Sequence, residues 1–83
     1  MNKILVFEYI NRLRREDIVK FCVIKGIDAS DSEIDVVYNY IKRDYKRFFS
    51  NPDTVLSEIK SDVSSNTFSI IMELYNKYKN KIS

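Results

Sequence analysis

Eighty-three residues, 45% hydrophobic and 31% charged, with one Gly, one Pro, one Cys and no His, supply one domain and no residues to spare for a second. Pro and Gly together lie far below the roughly 12% typical of proteins, and sandwiches or barrels need turn residues about every 8–12 positions, which argues against an all-β fold. A net charge of +2, from 14 basic and 12 acidic side chains, is too small a bias to imply a polyanionic partner by itself.

The first segment, about residues 2–13, sets Leu5, Val6, Tyr9, Ile10 and Leu13 on one helical face, with Ile4 and Phe7 widening the stripe. Its apolar run of four, Ile4 to Phe7, stops at Glu8. That is short of the roughly 20 residues of a spanning helix and of the h-region of a signal peptide, about 7–15. The expectation is a cytoplasmic protein with no membrane span. A second helix starts near Arg15, where Glu16 and Asp17 suit an N-terminus, and ends at Lys25, with Gly26 free to take the left-handed conformation that closes helices. Its residues Ile18, Val19, Phe21, Cys22, Val23 and Ile24 predict a helix buried almost all round, the centre of the core.

Ser30 with Glu33 three residues later is a capping-box pattern that starts a third helix, and Asp31 adds favourable charge. Ile34, Val37, Tyr38, Ile41, Tyr45 and Phe48 follow at spacings of three and four, the longest stripe in the chain. Asn51, Pro52 and Asp53 then read as N-cap, first helical residue and first-turn acid of a fourth helix carrying Val55, Leu56, Ile59 and Val63. Ser64 or Ser65 caps a fifth, whose expected buried face is Phe68, Ile71, Met72, Tyr75, Tyr78, Lys79 and Ile82. Five helices joined by short links predict an all-α compact bundle, a single domain over residues 1–83.

Catalysis lacks its usual instruments. There is no His, Cys22 sits in an apolar run that predicts a buried thiol, and Gly26 alone cannot form a phosphate-cradling loop. One Cys and no His exclude a zinc site of Cys/His type and an internal disulfide. Asp28, Ser30, Ser32 and Asp35 resemble a calcium loop only faintly, because Glu33 and Asn39 stand where such a loop needs Gly and a bidentate Glu. The expectation is therefore a non-enzymatic protein with no catalytic residue, no metal and no cofactor. Eleven Ile, nine Lys and seven Asn against one Ala reflect A/T-rich codons and point to a bacterial source.

Two nucleic-acid readings compete with simpler ones. A helix-turn-helix over residues 15–47 would present Asp31, Glu33 and Asp35 to phosphate, which repels it. A polyanion site on Lys42, Arg43, Lys46 and Arg47, with Arg14 and Arg15 adding to it, would form a ridge beside Tyr45, Phe48 and Phe49. Basic residues near a helix C-terminus also complement its dipole without any ligand. Six Tyr and five Phe are more rings than so small a core can hold. Phe7, Tyr9, Tyr40, Phe49 and Tyr78 are the candidates for a protein interface, since aromatic residues are enriched in interface cores.

In order, Ile10-Asn11-Arg12-Leu13, the helix start Glu16-Asp17-Ile18, Lys20, Gly26-Ile27, Ser30-Asp31-Ser32-Glu33, Val55-Leu56-Ser57-Glu58-Ile59, Ser64-Ser65 and Leu74-Tyr75 resemble the small uncharacterised Firmicutes family typified by YqfT. That resemblance covers almost the whole chain and implies a compact helical domain with no assigned catalytic residues. The leading expectation is a protein-interaction module that binds a partner or a second copy of itself. The alternative is nucleic-acid binding through the basic ridge of the third helix.

Overall fold

Local chemistry accounts for each helix boundary in the computed structural model, which describes residues 3–82 and side chains through residue 81. Among the described residues the chain forms five α-helices and no strand: α1 (Lys3–Asn11), α2 (Arg15–Lys25), α3 (Asp31–Ser50), α4 (Pro52–Asp62) and α5 (Ser65–Ile82). At the start of α2, the Arg14 backbone N–H donates to Asp17 Oδ2 at 2.8 Å. At its end Gly26 adopts φ +70°, and its N–H and that of Ile27 donate to the carbonyls of Val23 and Cys22, at 3.2 and 2.9 Å. This double closure is a Schellman turn, which needs a residue free of left-handed strain.

The capping box of α3 forms as expected, with the Glu33 N–H donating to Ser30 Oγ and the Ser30 N–H donating to Glu33 Oε1. Pro52 opens α4, where its missing N–H costs nothing. Ser64 is the cap of α5, its Oγ accepting from the Thr67 N–H at 3.1 Å. Helix α1 has no basic residue in its last turn. Lys42 of α3 supplies one from across the molecule, its Nζ donating to the carbonyls of Ile10, Asn11 and Leu13.

Helix α3 lies at the centre, packed against all four others, while α5 also touches α1 and α4. A single core joins Val6 and Ile10 of α1, Ile18 and Phe21 of α2, Ile34, Val37, Ile41 and Phe48 of α3, Val55 and Ile59 of α4, and Ile70, Ile71 and Leu74 of α5. The Cα radius of gyration, 12.0 Å, is that of a well-packed chain of this length, about 12 Å.

Two expectations about faces are corrected. Helix α2 is not buried all round: Ile18, Phe21 and Cys22 face inward, whereas Val23 and Ile24 are 74% and 82% exposed and Val19 is also at the surface. Its apolar arc is wider than the contact with α3. Helix α5 is rotated by about one residue from the expected stripe, burying Thr67, Ile70, Ile71, Leu74 and Tyr78 while Phe68, Met72 and Tyr75 are half-buried and Lys79 is exposed. Ile70, Ile71, Met72, Leu74 and Tyr75 make so broad an arc that two registers satisfy the same period. The Thr67 hydroxyl is accommodated in the interior by its bond to Ser64 Oγ, 2.9 Å. Ile82, placed on the same face by its spacing, lies outside the described side chains.

Candidate docking groove

The four bases of the third-helix ridge do not act together. Lys42 is turned onto the C-terminal carbonyls of α1. Arg43 pairs with Asp44 at 3.0 Å and stacks over the Tyr40 ring at 4.9 Å. Arg47 pairs with Glu58 of α4 at 3.0 Å and lies 3.8 Å from Asp44. Lys46 extends over Tyr45. Thus Lys42 and Lys46 lie toward α1 while Arg43 and Arg47 lie toward α4, and Asp44, buried at 7% exposure between the arginines, cancels part of their charge. The other two candidates are also paired: Arg14 with Glu16, and Arg15 with Asp31 and Asp35, which ties α2 to the start of α3.

The aromatic candidates separate as well. Phe7 stands edge-on to Tyr45 with ring centroids 5.3 Å apart and meets Phe49, which in turn contacts Tyr75, so these four half-buried rings pack on one another. Tyr40 donates to Asp62 of α4 at 2.6 Å. The phenol of Tyr40 is held above its ordinary value chiefly by that bond. Tyr78 is 3% exposed. Burial, with smaller contributions from Tyr9 and Asp17, pushes its phenol up to about 12, so it stays neutral across the physiological range. Tyr9 alone of the five is well exposed, its ring 5.8 Å from that of Tyr78.

Tyr9 stands at one end of a groove of about 980 Å³ between α2 and α5. Both helices pack on α3, and their facing sides give the groove an apolar floor of Ile18, Phe21, Leu74 and Tyr78. Ile24 adds an exposed apolar wall. Five cations line it: Arg12 from the α1–α2 link, Lys20 and Lys25 from α2, Lys77 and Lys81 from α5. Asp17 and Glu73 are the acids in the lining. The groove therefore holds a net +3, more than the +2 of the entire chain.

Among the described residues none of these five cations forms an ion pair, in contrast to Arg14, Arg15, Arg43 and Arg47. Lys25 and Lys77 approach the Phe21 ring, with Nζ 5.9 and 5.4 Å from its centroid. The stems of such lysines cover the apolar floor while their ammonium groups stay hydrated.

Cys22 is buried, and desolvation raises its pKa, which disfavours the thiolate. Among the described residues no group of three or more Cys, Asp or Glu is gathered in a way that would hold a metal ion. The sequence reading missed this site, although part of its signal was visible. Lys77 and Lys81 lie four apart, as do Lys20 and Ile24, so each pair shares a helical face. What the spacing does not contain is that α2 and α5 face each other. Comparison of the chain with protein-family models, curated proteins and solved structures finds no match.

Proposed function

We propose that this protein is a non-enzymatic cytosolic interaction module that docks a protein partner through the apolar residues exposed on its first two helices. One observation carries the reading. Ile4, Leu5, Tyr9, Val19, Val23 and Ile24, all the exposed large hydrophobic residues among those described, belong to α1 and α2, and α3, α4 and α5 expose none. Scattered exposed apolar residues are ordinary, but their confinement to two of five helices is the pattern of a surface that a partner covers.

Nucleic-acid binding through α3 is the weaker reading. Arg43 and Arg47 are paired within the molecule and Lys42 serves α1, which leaves little charge there for counterion release. No described helix is long and apolar enough to cross a membrane.

Site-specific crosslinking tests the proposal. A photoreactive phenylalanine analogue placed at position 23 should capture a defined protein in nuclease-treated cells of the native host, and the same analogue at position 60, on α4, should not. Capture at position 23 should also disappear with Ile24→Asp. Identical products from both positions, or products that vanish with nuclease, would overturn it.

A further inference from the structure

We infer that the groove between α2 and α5 is built for an acidic amphipathic helix of a partner protein, an inference that rests on the docking reading above and specifies its ligand. The first argument is charge. Arg12, Lys20, Lys25, Lys77 and Lys81 come from three separate parts of the chain to one groove, and among the described residues none of them has an acidic partner in its own molecule. Of the nine other cations, five are used internally, Lys42 on the carbonyls at the end of α1 and Arg14, Arg15, Arg43 and Arg47 in ion pairs. Concentrated, unpaired charge of one sign raises the local concentration of an oppositely charged ligand and its association rate.

The second argument is shape and polarity. At about 980 Å³ the groove has the volume of a large small-molecule pocket, but it lacks the buried convergent polar groups that fix a small molecule's orientation. Among the described residues no buried side-chain nitrogen or oxygen is without a hydrogen-bond partner. Three turns of helix, as a cylinder 10–12 Å wide, occupy about 1,500 Å³, the same order of size as the groove. Tyr9 and Ile24, the exposed large apolar residues of the groove lining, with cations on both walls, match a helix whose inward stripe is apolar and whose flanking positions are Glu or Asp.

Single-stranded nucleic acid fits less well. Bases bind by stacking on exposed rings, whereas Phe21 and Tyr78 lie buried in the floor and Tyr9 alone offers an open face.

The test is a peptide selection on the intact chain. A displayed library of 16-residue helices carries Leu at a fixed i, i+3, i+4, i+7 stripe and Glu, Lys, Gln or Ser at every other position. Binders of the wild-type protein should be enriched in Glu over Lys at the positions flanking the stripe, by at least several-fold. Lys20→Glu with Lys81→Glu, two side chains that make no ion pair among the described residues, should retain the helical circular dichroism of the parent and abolish or reverse that enrichment; Lys20→Gln with Lys81→Gln should give an intermediate result. Backbone amide shifts on adding one selected peptide should concentrate on α2 and α5.

Binders with no charge preference would overturn the inference while leaving docking on α2 in place, and so would shifts confined to α4. A selection without binders, or tighter binding of a labelled 20-residue oligothymidylate than of any selected peptide, would also overturn it. The crosslinking at position 23 then decides separately whether the broader reading survives.

Discussion

Glu33 shows how much one side chain can carry. Its Oε1 accepts from the Ser30 N–H at 3.0 Å, closing the capping box of α3, while Oε2 accepts from Asn66 Nδ2 at 3.0 Å and from the Ser64 hydroxyl at 3.4 Å, reaching the start of α5. Asn66 also donates to the Asp28 carbonyl at 2.8 Å, so the loop before α3 and the first turn of α5 share one polar clasp. The Ser30–Glu33 half was legible, because a capping box is a spacing. The Ser64–Asn66 half was not, because it joins residues more than 30 positions apart. These donors, the Ser30 N–H first and Asn66 second, hold the Glu33 carboxyl below its ordinary 4.5. A depressed acid contributes stability that is complete above the unfolded-state pKa and is lost as pH falls through the folded one. Glu33→Gln should therefore lower the melting temperature by a few degrees at neutral pH, and the gap should close as pH drops below about 4.5. Melting curves across that range check it, and a gap that stays constant would mean the charge contributes nothing.

At the scale of the element, α2 teaches the most about reading hydrophobicity. Six apolar residues in eleven indicate a helix wanting cover, but they do not say how much cover exists. In the structure the helix lies against α3 and is tied to it by Arg15, so Ile18, Phe21 and Cys22 are buried and Val23 and Ile24 are not. The bounds of α2 to α5 were legible almost to the residue, since Gly26, Ser30, Pro52 and Ser64 mark them by backbone chemistry, whereas α1, expected to reach Leu13, ends at Asn11. The exposed edge was not, because it depends on which neighbours arrive. Two contrasting substitutions follow. Phe21→Ala should cost about 3–5 kcal/mol, and Val23→Ser with Ile24→Ser less than about 0.5 kcal/mol per site, both read from urea denaturation. Equal costs would place Val23 and Ile24 in the core. Gly26→Ala tests the turn that ends the same helix. A Cβ there meets no atom within 4 Å, so its cost is backbone strain alone, about 1–2 kcal/mol.

For the whole molecule, the central fact is that every other helix rests on α3. Ile41, 5% exposed at the middle of that helix, should on truncation to Ala cost about 2–5 kcal/mol, a large part of the stability a domain of this size possesses. Helix α1 stands at the other extreme, with nine residues of which Val6 and Ile10 alone are buried, too short to persist by itself. Its attachment depends on those two side chains, on Phe7 against Tyr45, and on the Lys42 ammonium over its C-terminal carbonyls. That cation replaces the basic residue the last turn of α1 lacks, and it binds the end where the helix dipole is negative. Native-state hydrogen exchange should therefore show α1 opening at lower free energy than α3, α4 and α5. Lys42→Met keeps the apolar stem and removes the charge, so it should accelerate exchange in α1 selectively while amides in the middle of α3 keep their protection. Uniform acceleration across all five helices would instead mean that α1 unfolds only with the whole. Selective opening would show that one lysine of the expected polyanion ridge serves to hold the first helix, and with it the exposed Tyr9, in place at the groove.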